Sequence, residues 1–417
     1  MKTLSRVAWA GAAGNLTARH GAARVRTREW RRDIVAPAPA SSAAPAVRPA
    51  QAFDIRCITS EFGLPHWNGE WRRLLLASQS PEKIYQSPEF FRYLSDSQTS
   101  TSDRFELFAI TDRATGHVVG MVPVRLSSVA LGVKAGPVTL FACQPRIVRI
   151  LGSVPLAPPD PALWHQLFAH LLHTFPACTA VSMQAFPMAL QGNLGMDPRH
   201  VPFVVHGWRA CHTIALPENL PASLAAMSAK KRYNTGRAWR LLEQAAGPLQ
   251  LQRIDRSVNV RELVAGVAAL APEGAQAGAR DYRVLAANRL LLSYVLKSAG
   301  EVVAVIAGSR YGDTWHVHHI LYAAKYRRLS AGTVALQAAL QDVIAHFTFT
   351  TADLGFGSPR HPFPSHFLQT RAHVLVARKG AWSTRRLAAF MRIDAARAAC
   401  ARHIKPLVMR LQRFLGR

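Results

Sequence analysis

Apolar residues follow two rhythms along this chain, every second position in some stretches and every third or fourth in others, and the changes of rhythm predict its elements. Phe53-Asp54-Ile55-Arg56-Cys57-Ile58 alternates and predicts a strand, after which 65–77 and 87–96 have helical spacing. Phe105 to Thr111 and His117 to Leu126 predict two more strands, and the turn-forming cluster Asp112-Arg113-Ala114-Thr115-Gly116 between them predicts a hairpin loop. A strand near 137–142, a helix over 162–175 and a strand from Thr179 to Ala185 follow.

The same order then recurs. Gln250 to Ile254 predicts a strand, 258–271 and 281–298 have helical patterns, and Glu301 to Gly308 is set to pair with Thr314 to Tyr322 across Tyr311-Gly312-Asp313. A helix over 331–346 and strands from Phe349 to Gly355 and from His373 to Arg378 complete the second series. The expected fold is therefore mixed α/β, two copies of one plan in tandem over 53–215 and 216–380, each a mixed sheet flanked by helices. A length of 417 residues suits two domains of about 150 residues with extensions at both ends.

Three segments lie outside the repeat. Prolines and alanines dominate 36–52, so 1–52 reads as a disordered basic segment and linker. Residues 222–246 predict one long basic helix, starting after Pro221 and stopping at Gly247-Pro248. Residues 381–417 read as a basic amphipathic helical tail, with Leu387, Phe390, Met391, Ile404 and Leu407 among arginines and a break at Pro406.

The formal charge of +27 raises the question of nucleic acid, but most of it sits at the ends. Residues 1–52 hold nine Lys/Arg against Glu29 and Asp33, and residues 378–417 hold eleven against Asp394. The core is thus only mildly basic and suited to anionic ligands, while the tails are expected to touch anionic membrane from the cytoplasmic side. No RNA-recognition, zinc-finger or helix-turn-helix pattern supports sequence-specific nucleic-acid binding.

Five widely spaced cysteines without a CxxC pair indicate neither a disulfide framework nor a zinc site. His165, His170 and His173 share a predicted helix but lack acidic or thiolate co-ligands, so no metal is expected. The apolar run Val7 to Ala10 is too short for a secretory signal, and no stretch approaches the ~20 apolar residues of a membrane span. A cytoplasmic protein, peripheral to the inner membrane face, is the expectation. The absence of GxSxG, HExxH, Walker and dinucleotide glycine motifs removes the common hydrolase, protease and nucleotidase classes.

Three segments of the second half resemble, in order and spacing, the FemAB-like and CelD-type acyltransferases of the GNAT superfamily. Ser228-Ala229-Lys230-Lys231-Arg232-Tyr233-Asn234 is similar to the family's basic helix. Tyr322-Ala323-Ala324-Lys325-Tyr326-Arg327-Arg328-Leu329-Ser330-Ala331-Gly332 is similar to its strand end and helix start, with Ala331 where proline is usual. Ala352-Asp353-Leu354-Gly355-Phe356-Gly357 is similar to its Gly-x-Gly strand end, although Ser358-Pro359-Arg360-His361-Pro362 replaces the Tyr-Lys pair that commonly follows. The resemblance implies transfer of an acyl group, acetyl above all, from acyl-CoA to an amine or hydroxyl of a sugar, polysaccharide or cell-envelope precursor.

The residues bear chemistry consistent with that. A helix start directly after a strand presents unpaired N–H groups and a positive dipole end to a pyrophosphate. Arg327, Arg328, Ser330, Gly332 and Thr333 are the donor-site candidates, with Ser330 as the cap and Gly332 allowing close approach. Lys230 and Arg232 on the basic helix are the acceptor-contact candidates. Within Trp315-His316-Val317-His318-His319, alternation puts His316 and His318 on one face and His319 on the other with Trp315 and Val317. His318 or Asp353 is the candidate proton acceptor, since transfer needs one base near neutrality beside the thioester. Two other functions fit the same elements: aminoacyl transfer from charged tRNA to a cell-wall peptide, and a non-catalytic, membrane-associated binding protein with a degenerate core.

Overall fold

A computed structural model describes residues 52–78, 82–97, 104–135, 138–194, 199–356, 366–380 and 384–396. The basic segment 1–51, the Ser358–Pro362 stretch and the part of the tail beyond 396 lie outside the described residues. The first half runs β1 (Phe53–Cys57), α1 (Pro65–Ala77), α2 (Pro88–Asp96), β2 (Arg104–Asp112) and β3 (Val118–Ser128). A small hairpin of β4 (Leu131–Ala135) and β5 (Val138–Cys143) precedes β6 (Arg146–Ile150), α3 (Pro161–Thr174), β7 (Ala180–Pro187) and the long β8 (His200–Ala215). Next come α4 (Leu220–Ala225), α5 (Ala229–Ala246), β9 (Leu249–Ile254), α6 (Val260–Leu270), α7 (Pro272–Ala287) and β10 (Ser293–Ser298). β11 (Glu301–Tyr311), β12 (Thr314–Tyr322), α8 (Ala331–His346), β13 (Thr351–Phe356) and β14 (His366–Arg378) follow. Residues 384–396 form a further helix, α9.

Twelve strands form one mixed sheet in the order β1-β2-β3-β6-β7-β14-β8-β13-β12-β11-β10-β9. The order has an internal symmetry. Inward from the β1 edge the pairings are three antiparallel, one parallel between β6 and β7, then antiparallel to β14. Inward from the β9 edge they are three antiparallel, one parallel between β12 and β13, then antiparallel to β8. The repeated plan is therefore real, and the halves are closed differently: β8, directly before the second series, completes it, while β14 crosses from beyond the second series to complete the first. β8 and β14 pair with each other from His366↔Ile214 to Arg378↔His200, and this central pair is the seam that joins the halves into one sheet.

Period-two patterning explains why the sheet is covered on both faces. Leu107 and Ala109 face α1 and α2, whereas Phe108 and Ile110 face α3. Val295 and Val305 face α6 and α7, whereas Tyr294, Leu296, Ala304 and Ile306 face α8. The helices α1, α2, α6 and α7 of both halves share one core, and Arg280 Nη2 donates to the Asp96 carbonyl at 2.9 Å across the contact. Trp71 is fully buried there, with its indole N–H satisfied by the Gln86 carbonyl at 2.7 Å.

Several expectations change. The helix expected over 281–298 ends at Ala287, and Ser293–Ser298 is an inner strand. Its Tyr-Val-Leu run is apolar on both faces, and such a run has no period that separates strand from helix. The single basic helix over 222–246 is two, because Ser228 caps α5 by accepting the Lys231 N–H at 3.3 Å. β6 and β8 were not anticipated. In β8 the alternation breaks where His206 and Gly207 adopt positive φ (57° and 72°). The strand expected over 373–378 begins at His366 and joins the first half, not the second. At the start of the expected tail, α9 seats Leu387 and Phe390 in a core with β4 and β14, and Asp394 Oδ2 lies 3.0 Å from His206 Nδ1. Among the described residues no helix is long and apolar enough to cross a membrane.

Because the halves share a sheet and a helical core, the full chain should unfold in one cooperative thermal transition. A chain stopped before β14 should lose both halves together, leaving no soluble folded first half. Two separated calorimetric transitions in the full chain would contradict this.

Candidate functional site

The parallel pairs are where the sheet opens. β12 and β13 pair only from Thr314↔Thr351 to His316↔Asp353, after which they part. Local chemistry turns β13 away: Asp353 Oδ1 accepts the Gly355 N–H at 2.8 Å, Gly355 has φ 64°, and the register against β8 slips at that point. In the first half β6 and β7 pair to Ile150↔Met183 and then diverge, with Ala185 at φ 52° as the counterpart of Gly355. A left-handed alanine is uncommon enough to mark a constrained position. Both openings face one cleft of about 120 Å³, open to solvent, lined from the first half by Glu82, Tyr85, Phe90 and Gln184 and from the second by His316, His318, His319, Asp353 and Phe356.

A buried charged cluster forms the floor. Arg371 of β14, 2% exposed, donates from Nη1 to Glu82 Oε1 at 2.7 Å and to Asp353 Oδ2 at 3.3 Å, while its Nε and Nη2 reach Gln369 Oε1 at 3.0 and 2.6 Å. Burial alone would lower the guanidinium, but the Glu82 and Asp353 carboxylates outweigh it and hold Arg371 charged. Burial pushes the Glu82 carboxyl up to about 7, against the opposing pull of Arg371 and with Asp353 adding to the rise. Burial, then Asp353, also pushes the Cys211 thiol up, so it stays protonated with its Sγ 3.9 Å from Asp353 Oδ1.

Three histidines of β12 form the wall. The register between β11 and β12 passes from Ala307↔His319 to Gly308↔Val317, so His318 is the extra residue of a bulge. A bulge breaks strict alternation. This is why His319, expected on the opposite face with Trp315 and Val317, lines the cleft beside His316 and His318. Burial lowers His316 to about 4 and holds His318 well below its usual value, so both are neutral at neutral pH. Ser309 Oγ lies 2.7 Å from His318 Nε2. The ring of His316 tilts against Tyr85 at 5.8 Å, and its Nε2 is buried without a hydrogen-bond partner among the described residues, as is Gln184 Oε1.

The donor-site candidates gather at the next stretch of chain. After β12 a 3₁₀ turn over Ala324–Leu329 leads into α8. Arg327 and Arg328 are exposed, with no ion pair among the described residues. Ser330 differs from expectation: it stands at the cap position with φ 58° but its hydroxyl makes no capping bond, and its carbonyl takes the Thr333 and Val334 N–H groups instead. The N–H groups of Ala331 and Gly332 fall in the first turn, where a helix has no internal acceptor. Gly332 is buried, and a Cβ there would come within 2.9 Å of Tyr322 and 3.0 Å of Ile320, so its first role is to let α8 lie against β12. α5 packs on the same turn and on α8, which brings Lys230 to that side of the domain, exposed. Arg232 donates to the Met227 carbonyl at 2.5 Å.

The equivalent helix start in the first half is different. Asp160 caps α3 and accepts the Ala162 N–H at 2.8 Å, and Pro161 has no N–H to offer. A carboxylate already holds the positive end, so an incoming pyrophosphate would meet like charge. His165, on α3, is bonded to the Leu194 carbonyl at 3.0 Å, and among the described residues no group of His, Cys, Asp and Glu is arranged to hold a metal ion.

Sequence reasoning brought His318 and Asp353 to the cleft and missed Glu82 and Arg371. Glu82 follows Gln79-Ser80-Pro81 in the sequence and belongs to no motif. Arg371 did leave a signal, a lone arginine beside the apolar run Val374 to Ala377, where a cation is buried only with partners.

Glu82 makes stability depend on pH in a defined direction. With its folded value (about 7) above the unfolded one (4.5), its contribution is complete below pH 4.5 and is lost as pH rises through about 7. Glu82→Gln lacks this loss. Its melting temperature relative to the wild type should therefore rise between about pH 5 and about pH 7 and level off above, while His316 titrates in both proteins and cancels. A difference that does not change with pH would contradict the burial-raised Glu82 carboxyl.

Comparison with known proteins fits this geometry. Residues 229–361 match the family model described as acetyltransferase (GNAT) domain. No curated protein matches the chain. Among solved structures, FemX aligns with a TM-score of 0.50 at 9% identity, over 74% of this chain and 95% of that one. A tandem GNAT protein from the clavulanic acid biosynthesis pathway aligns at 0.49 and 14% identity, over 79% and 99%, and L-PGS from Bacillus licheniformis at 0.44 and 13%, over 73% and 96%. The FemX likeness speaks for the fold alone. Residues 229–361 thus match a GNAT acetyltransferase domain, set in a chain whose fold is similar to that of FemX.

Proposed function

We propose that the protein transfers an acyl group, acetyl in the simplest case, from acyl-CoA to an amine on a sugar or cell-envelope precursor held in the central cleft. The observation that carries this reading is the parting of β12 from β13 directly before the basic turn and α8. From Val317 to Tyr322 the β12 edge toward β13 is left without a strand partner, and an amide-bearing arm such as pantetheine can pair with it as a strand would. The pyrophosphate then falls at Arg327, Arg328 and the unpaired N–H groups of Ala331 and Gly332, beside Ser330 and Thr333, and the thioester reaches the histidine wall.

On this reading Lys230 and Arg232 contact the anionic part of the acceptor or of the donor nucleotide near the mouth. The neutral His316 and His318 supply hydrogen bonds to the reacting carbonyl or amine. Asp353 is engaged by Arg371 and Gly355 and orients the cluster. The basic ends of the chain would hold the enzyme near anionic lipid, where its acceptor class resides.

Calorimetric titration with acetyl-CoA tests the donor site. Arg327→Ala and Arg328→Ala should each weaken binding about 10-fold or more, the loss of a charge-assisted phosphate contact, without changing the melting temperature of the unliganded protein. Gly332→Glu is the poorer probe because its side chain would strike Tyr322. Unchanged affinity in the double variant, or binding of charged tRNA without any of acetyl-CoA, would overturn the reading.

A further inference from the structure

The two halves contribute unequally to the cleft, and the first half brings the group that the reaction lacks. We propose that Glu82 is the proton acceptor for the attacking amine, with Arg371 as its positioning residue. The proposal rests on the acyl-transfer reading above.

Geometry selects Glu82. It lines the cleft at 5% exposure on the segment leading into α2, opposite the histidines of β12. Glu82 Oε1 is paired with Arg371 at 2.7 Å, as Asp353 is at 3.3 Å, but Asp353 also anchors the β13 turn and His318 is held against Ser309. Charge balance points the same way: Arg371 alone faces Glu82 and Asp353, so the cluster becomes neutral on gaining one proton or one bound cation. An ammonium ion supplies the cation on binding and the proton on reacting.

The other groups around Glu82 do not compete. Ser153 hydrogen-bonds to it, and the Tyr85 phenol and Cys211 thiol are both pushed up by burial and stay protonated. Arg149 lines the cleft near His373, whose imidazole burial lowers first and Arg149 lowers further. With Glu82 held near 7 by burial, it can take a proton from an ammonium ion at neutral pH and release it to solvent afterwards. The buried His316 Nε2 and Gln184 Oε1, without a partner among the described residues, belong to side chains that line the same cleft from opposite halves, as expected where a polar ligand completes the hydrogen bonding.

The step balances. The ammonium nitrogen gives one proton to Glu82 and its lone pair attacks the thioester carbonyl carbon. The C–N bond forms, the C–S bond breaks, and the departing thiolate takes the second nitrogen proton. The products are the amide, the CoA thiol and a protonated Glu82.

The test uses the full chain labelled with carboxyl-¹³C glutamate, and the Glu82 signal is assigned by its loss in Glu82→Gln. Its titration should centre near pH 7, and n-butylamine should move it while n-butanol should not, whether or not a donor is bound. In parallel, thiol release from acetyl-CoA with butylamine should show an acidic limb near neutrality. Glu82→Gln should lose that limb and about 10²-fold or more of turnover with acetyl-CoA affinity retained, and Glu82→Asp should recover part of it. Arg371→Lys should shift the limb instead of removing it. An amine-insensitive Glu82 signal, or an acidic limb and turnover unchanged in Glu82→Gln, would overturn the proposal. Failure of acetyl-CoA to bind the wild type would overturn the donor reading instead, and the amine titration would still decide the role of Glu82.

Discussion

The antiparallel pairing of β8 with β14 is the constraint on which the rest of this molecule depends. Each strand completes the half to which it does not belong in sequence, and inner strands of a sheet must find partners for both edges because buried backbone groups left unpaired are costly. The first half cannot be closed without β14, which lies beyond the second, and the second is closed by β8, which lies between the two series. Registration of the two open parallel pairs on either side of this seam follows from it, and so does the cleft between them.

That arrangement gives the site its electrostatics. Arg371 sits on the exchanged strand, and its carboxylate partners come from a first-half loop and a second-half strand. A buried guanidinium tolerates loss of water only with such partners, so the cluster ties the seam together as well as shaping the cleft. The same symmetry that repeats the fold does not repeat the chemistry. The α8 start offers unpaired N–H groups beside two exposed arginines, whereas Asp160 and Pro161 close the equivalent start of α3. On the proposed reading one half receives an anionic donor, and the other lines the cleft with Glu82, Tyr85 and Gln184.

Much of this was legible in the residue pattern because most of the outer strands and the flanking helices have one apolar face. The helix over 331–346 and the hairpin of β11 and β12 stand where the periodicity put them. Inner elements were harder to read: β10 is apolar on both faces, and β8 bends at His206 and Gly207, so neither shows a clean period. The strand exchange left no local trace, since nothing in the sequence around His373 says which neighbour it pairs with. In the site, Asp353 was read from its place at a strand end and His318 from the alternation along β12, but the bulge that turns His319 inward is a property of the pairing. Glu82 and Arg371 are 289 residues apart and become a pair only when β14 crosses to the first half.

The central claim is that a donor held by the second half meets a proton acceptor from the first across this seam. A crystal structure of the full chain with acetyl-CoA tests it most directly. The account predicts the pyrophosphate on Arg327, Arg328 and the first turn of α8, the pantetheine along β12, and the thioester in the cleft facing Glu82. Pyrophosphate at the α3 start, or a thioester directed away from the Glu82–Arg371–Asp353 cluster, would contradict it.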